Sequence, residues 1–126
     1  MDWLVGHLVG DYLFQNDWMG FGKKERWFPA LVHCLIYTFC VWGFTWWPVW
    51  TLPLVFFSHL VIDKTMIVRD YARFVGREAF IDPKPDNRFF PWSWVVIDNS
   101  IHIVSLYAID KMVEHQVVSW LVTKLV

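Results

Sequence analysis

The sequence predicts an all-α membrane protein, a bundle of four transmembrane helices with a cytoplasmic amphipathic extension of the third helix. The 126 residues are 56% apolar and include ten Trp, which is unusual for a soluble domain. Four segments approach the length that crosses about 30 Å of hydrocarbon. Nine of the eleven Lys and Arg residues lie in two connections between those segments. The length fits a single domain over residues 1–126.

The predicted transmembrane helices cover residues 3–20, 28–47, 49–67 and 91–111. Pro29, Pro48 and Pro91 lie at helix starts, where a missing amide donor costs little. Several Trp residues lie near the predicted ends, as they do at membrane interfaces. The first and third helices contain polar residues that lower their hydropathy, so a buried bundle in a soluble protein is the alternative.

The segment that follows the third helix is predicted to lie on the membrane surface. Its apolar residues suit one helix face and its arginines the other. The apolar set is Met66, Ile67, Tyr71, Phe74 and Val75, and the arginines are Arg69, Arg73 and Arg77.

The distribution of charge predicts the orientation. The connections at residues 20–28 and 64–88 are basic, whereas "WWPVW" between the second and third helices has no charge. By the positive-inside tendency both basic connections face the cytoplasm and both termini face the periplasm. Asp2 stands where a signal peptide has a basic leader, so we expect no cleavable signal peptide. A net charge of −1 gives no reason to expect a nucleic-acid partner.

Each predicted helix carries a polar pair at i,i+4 spacing, which projects from one helix face. The pairs are His7 and Asp11, His33 and Tyr37, His59 and Asp63, and Asp98 and His102. An ionisable group at bilayer depth costs roughly 2.5–3.5 kcal/mol, so such groups rarely occur without partners or function. Counted from the basic ends, all four pairs lie in the cytoplasmic half. The outer stretches "VWGFTWW", "PLVFF" and "IVSLYAI" contain no Asp, Glu, His, Lys or Arg. This pattern favours a closed metal pocket over a conduit.

These side chains suit a divalent transition metal, with zinc favoured over manganese or iron. The predicted ligands are His7, Asp11, His33, His59, Asp63, Asp98 and His102. This set exceeds what one tetrahedral zinc needs, so one or two metals are expected. The alternative is that the pairs form interhelical hydrogen bonds that only fix the packing. Cys34 and Cys40 lie in an apolar run and are interpreted as packed hydrophobes.

Metal-assisted hydrolysis is the chemistry that this set predicts. Asp11 or Asp98 is the candidate general base, and Gln15 and Asp17 are candidates to assist catalysis by orienting ligands or to cap the end of the first helix. Three lysines at the cytoplasmic entrance determine topology and are candidates to bind an anionic substrate. They are Lys23, Lys24 and Lys64. The expected substrate is a phosphoester, either a lipid headgroup in the bilayer or a small cytosolic molecule.

Two other classes of function stay open. A metal-ion or proton transporter also places ionisable residues in membrane helices, although it needs polar residues that continue to the other face. A small membrane protein could instead bind a host membrane partner and use the metal for structure. Gly6 and Gly10 form a G-x3-G that permits close helix approach, which leaves a homo-oligomer open.

The segments "HLVGDYLFQNDWMGFGKK", "ALVHCLIY", "HLVIDK" and "DNSIH" resemble a family of small bacterial and phage membrane proteins with a domain of unknown function. The motif H-x3-D-x3-Q-x-D-W-M is its specific part. The resemblance implies the membrane fold, a bacterial inner-membrane location and the importance of His7, Asp11, Gln15, Asp17 and His59. More loosely, the His and Asp pairs resemble those of inner-membrane proteins known as metal-dependent hydrolases.

Overall fold

Helices form all the regular structure in the described part of the chain, which confirms the all-α prediction. The computed structural model describes residues 1–84, 87–88 and 90–125 and contains no strand within them. The elements in order are α1 (Asp2–Leu8), π1 (Val9–Leu13), α2 (Asp17–Gly22), α3 (Trp27–Thr45), α4 (Thr51–Lys64), α5 (Ile67–Phe74), α6 (Glu78–Ile81) and α7 (Trp92–Leu125).

The first predicted helix, residues 3–20, is broken in the structure. α1 passes directly into the π-helical turn π1, and α2 begins after a short gap. Asn16 starts α2, because its side-chain oxygen accepts a hydrogen bond from the Met19 amide at 3.0 Å. An Asn at this position is a strong N-cap, so the chain stops one helix and starts another where hydropathy alone predicts continuity.

The middle of the chain follows the prediction closely. α3 matches residues 28–47 within two residues at each end. α4 ends at Lys64, and α5 leaves it at a bend of 69°. The predicted amphipathic extension is therefore a separate helix. Val68 and Ala72 face the protein, and the apolar face predicted for it is exposed, with Phe74 at 89%.

α7 is longer than predicted. It runs for 34 residues from Trp92 to Leu125 instead of ending near residue 111. At about 1.5 Å per residue it extends about 50 Å, so its second half continues past the apolar core.

Length and apolar composition identify few of these helices as membrane spans. Within the described residues, α3 is the one helix that is long and apolar enough to span a membrane by itself. α4 and α5 together count as a second candidate if the bent pair forms one span. Core helices of soluble proteins meet the same criteria. The structure thus gives weak support for a membrane location and supports one or two of the four predicted spans.

An apolar core occupies one end of the bundle. Its buried members come from α1, α3, the connection to α4, α4 and α7: Trp3, Tyr37, Val41, Trp47, Val55, Leu106 and Ile109. Gly6 lies so close to α3 that a Cβ there would be 2.6 Å from Val41 Cα, and one on Gly10 would be 2.9 Å from Tyr37 Cδ2. The glycines therefore bring α1 and π1 against α3 within one chain, and this face is not free for a second copy.

Candidate metal centre

The predicted ligands come together at the other end of this core. His7 comes from α1, Asp11 from π1, His33 from α3, His59 and Asp63 from α4, and Asp98 and His102 from α7. The four His and Asp63 are at most 1% exposed. Asp11 is 12% exposed and Asp98 is 20% exposed, so these two carboxylates lie on the accessible side of the cluster.

The π-helical turn π1 positions Asp11 in this cluster. π1 places Asp11 one turn after His7, and the turn closes with a hydrogen bond from the Phe14 amide to the Val9 carbonyl at 3.1 Å. π-helical turns are rare and often occur at functional sites. With Gly10 against Tyr37, the turn sets the Asp11 carboxylate beside His33.

Four ligand atoms form the tightest part of the cluster. His33 Nε2 and His59 Nε2 are 2.9 Å apart. Asp11 Oδ1 is 3.2 Å from the former and 3.4 Å from the latter. Asp63 Oδ2 is 3.3 Å from both nitrogens. A tetrahedral zinc with bonds of about 2.0–2.1 Å holds its ligands about 3.3–3.4 Å apart. The four oxygen–nitrogen distances fit one metal ion, while the 2.9 Å between the two nitrogens is the length of a hydrogen bond.

Hydrogen bonding accounts for only one of these contacts, the one between His33 Nε2 and His59 Nε2. Asp11 Oδ1 and both carboxylate oxygens of Asp63 are buried and accept no well-aligned hydrogen bond. Burying a carboxylate is costly unless it is paired, and Asp63 Oδ1 is paired with the Lys23 ammonium at 3.0 Å. The ligand atoms of His33, His59 and Asp63 lie within 4.8 Å of one another, as the ligands of one cation can. We name His33, His59, Asp63 and Asp11 the first position.

His7 borders the first position, but protein groups occupy both of its ring nitrogens. The amide nitrogen of Asn99 donates to the Val95 carbonyl at 2.8 Å, which turns Asn99 Oδ1 toward His7. His7 Nε2 therefore donates to that oxygen at 2.9 Å. His7 Nδ1 then accepts from the Tyr37 hydroxyl at 3.0 Å and lies 3.3 Å from Asp11 Oδ2. His7 was predicted as a ligand, and that role stays a prediction, since both of its ring nitrogens have protein partners in this structure.

A second group of donors adjoins the first position. Asp63, Asp98 and His102 each offer one ligand atom, and these atoms lie within 4.8 Å of one another. The Lys23 ammonium is 3.0 Å from Asp63 Oδ1. Burial lowers the pKa of Lys23, but the carboxylates of Asp63 and Asp11 outweigh burial and raise this pKa above its ordinary value. Lys23 is thus a charged member of the cluster.

The other two predicted substrate lysines bind backbone. Lys24 Nζ donates to the carbonyls of Ile62 and Thr65 at the end of α4, at 3.4 and 3.2 Å. Lys64 Nζ donates to the carbonyls of Lys23 and Lys24 at 3.2 and 2.9 Å. These bonds join the α2–α3 connection to α4, and substrate binding by these lysines stays a prediction. Burial lowers the pKa of Lys24 below its ordinary value.

The structure does not bring Gln15 and Asp17 into contact with the ligands. Asp17 is exposed in the first turn of α2, and Asn16 is the cap there. Gln15 Oε1 is buried without a hydrogen bond, and its side chain faces Gly20. Their assignment as catalytic residues stays a prediction, and it rests on the sequence motif alone.

Two residues of the site were not assigned a role from the sequence. Tyr37 stacks on the His59 ring, with centroids 3.6 Å apart and planes at 21°, and its hydroxyl bonds His7. Asn99 fixes the tautomer of His7. Tyr37 could have been identified from the sequence, because it lies four residues after His33 and so on the same helix face. Asn99 could not, because adjacent residues on a helix point in different directions, and its position next to Asp98 does not show that both side chains reach the site.

The sequence model of the family described as "Protein of unknown function (DUF3307)" matches residues 1–125. No curated protein and no solved structure gives a match.

Proposed function

The chain belongs to this family of unknown function, and from the geometry of its site we propose that it is a membrane-embedded metal-dependent hydrolase. The observation that carries the proposal is the convergence of four donor atoms at the first position, 2.9–3.4 Å apart. Two imidazoles and one carboxylate that are fully buried form a three-ligand set of the kind that catalytic zinc sites use. The fourth donor, Asp11, has a side chain that is 12% exposed.

The distribution of polarity supports the membrane location. The interior holds the four histidines of the site, at most 1% exposed, whereas Phe39 and Phe57 are 60% exposed and Val104 is 66% exposed. Large exposed apolar surfaces are unusual on a soluble monomer, and lipid is the solvent that such a surface suits. We therefore propose four spans built from α1 to α2, α3, α4 and α7, in the bacterial inner membrane, with both termini periplasmic.

The placement of the site supports reaction at the cytoplasmic surface. The apolar core closes one side of the cluster. The other side is bordered by Lys23, Lys24 and Lys64, from the two basic connections. A substrate then reaches the site from the basic side, which favours an anionic group at the inner leaflet. A phosphoester of a lipid headgroup or of a small cytosolic molecule fits this charge.

Different residues of the site have different roles in the proposed hydrolysis. His33, His59 and Asp63 would hold a divalent metal, which would supply Lewis-acid chemistry and make water more acidic near neutral pH. Asp11, on the accessible side, accepts the proton of the attacking water, and Asp98 is the second carboxylate that reaches the same side. Tyr37 and His7 keep His59 and Asp11 in place.

The test combines metal analysis with turnover. Protein purified in detergent is analysed for metals and incubated with phospholipids, polyprenyl phosphates and nucleotides, beside a liposome flux assay for protons and metal ions. We expect bound metal, a released product and no flux. The double variant His59→Ala, Asp63→Ala should lose both metal and turnover, while His115→Ala, an exposed His on α7, should keep both. Flux without product would contradict the hydrolase and identify a transporter.

A further inference from the structure

We propose that the site contains a second cation position, formed by Asp63, Asp98 and His102, and that the Lys23 ammonium serves as the cation there. The native protein then holds one divalent metal, at the first position, and Lys23 excludes a second. This inference rests on the proposed function for the first position only. It concerns how many metal ions the site admits.

The two oxygens of Asp63 face different neighbours. Oδ2 is 3.3 Å from both His33 Nε2 and His59 Nε2. Oδ1 is 3.0 Å from Lys23 Nζ and 3.6 Å from His102 Nε2. A carboxylate in this orientation bridges two cations, as carboxylates do in two-metal sites whose ions are about 3.5–4 Å apart.

His102 points into the second position without a hydrogen-bond partner. Its side chain is 1% exposed, and neither ring nitrogen makes a hydrogen bond. His102 Nε2 is 3.6 Å from Asp63 Oδ1 and 3.7 Å from Asp98 Oδ2. These distances exceed the 2.7–3.2 Å or so of an ordinary hydrogen bond. They suit ligands that share a cation between them.

Charge balance explains why Lys23 occupies this region. The carboxylates of Asp11, Asp63 and Asp98 and the ammonium of Lys23 together carry a formal charge of −2, which one divalent ion neutralises. The backbone of Lys23 is held in turn, because Lys64 Nζ donates to its carbonyl at 3.2 Å. A fixed ammonium beside Asp63 repels a second divalent ion from the same carboxylate.

The experiment measures metal stoichiometry in the full chain, purified in detergent and dialysed against Zn²⁺ or Mn²⁺. We expect one ion per chain in the native protein and two in Lys23→Met, which removes the charge and keeps most of the length. Lys23→Arg keeps the charge and should bind one ion. Lys24→Met should also bind one ion, because the ammonium that it removes donates to backbone carbonyls and not to the ligands. The Mn²⁺-loaded Lys23→Met protein should show the electron paramagnetic resonance spectrum of a coupled pair.

Adding Asp98→Asn to Lys23→Met should return the count to one, because it removes a ligand of the second position. Two ions in the native protein, or one ion in both the native protein and Lys23→Met, would overturn the role of Lys23 and leave the first position intact. No metal in any variant would instead overturn the proposed function itself. The two failures are therefore distinguishable.

Discussion

At the scale of single residues, His7 and His33 have different surroundings although both were predicted as metal ligands. His7 donates to Asn99 and accepts from Tyr37, so each of its nitrogens has a protein partner. His33 Nε2 faces His59 and two carboxylates. The i,i+4 spacing predicted that both would point inward, but spacing along one helix does not reveal which groups on other helices face each nitrogen.

This difference predicts different metal-binding defects. His33→Ala should abolish metal binding, because it removes a first-position donor. His7→Ala should keep the stoichiometry but weaken metal affinity about 10–100-fold, as loss of an orienting partner typically does. Competition with a chromophoric chelator measures both. Equal defects in the two variants would show that His7 is itself a ligand.

Asp11 provides a second test at this scale. If Asp11 accepts the water proton, Asp11→Asn should keep bound metal but lower turnover by about 10²–10⁴. Its oxygen still faces the site, whereas the amide cannot take the proton. Asp2→Asn, on the exposed start of α1, is the matched control and should behave as the native protein. Loss of metal in Asp11→Asn would make the Asp11 carboxylate an obligatory ligand.

At the scale of elements, the sequence predicted the helices that depend on long apolar runs and missed those set by local hydrogen bonds. α3 matches its prediction because its apolar run is continuous and bounded by a basic turn and Pro48. π1 has no residue-type signature, since it differs from an α-helix only in which carbonyl each amide reaches. The sequence could therefore predict which helix face carries Asp11, but not the exact position of its carboxylate.

Glycine substitutions test the contact between α1 and α3. A Cβ at Gly6 would lie 2.6 Å from Val41 Cα, whereas one at Gly43 meets nothing within 4 Å. Gly6→Ala should therefore destabilise the protein by about 1–3 kcal/mol, as overpacking does. Gly43→Ala should stabilise it by about 0.5–1 kcal/mol, because alanine is the better helix former. Unfolding of the two variants in the same detergent measures the difference, and equal stability would contradict the close α1–α3 packing.

At the scale of the whole molecule, large apolar side chains lie on the outside as well as in the core. Four histidines and Asp63 are buried. Composition predicted a membrane protein, and the basic connections predicted its orientation. Neither shows which helices span the membrane, because the segment from α1 to α2 is broken and α7 is longer than a bilayer requires. The common depth of the site was predictable, since Lys23 and Lys64 border it as the charge pattern implied.

Orientation is tested by cysteine labelling in intact bacterial cells. In a background with Cys34→Ala and Cys40→Ala, one reporter is Glu25→Cys, in the exposed basic turn before α3, and the other is Ser119→Cys, on the exposed second half of α7. The positive-inside tendency places the first in the cytoplasm and the second in the periplasm. A membrane-impermeant maleimide should thus label Ser119→Cys in intact cells and Glu25→Cys only after lysis. The reverse pattern would invert the topology and place the site at the outer leaflet. Labelling of both in intact cells would contradict a membrane barrier between the two ends.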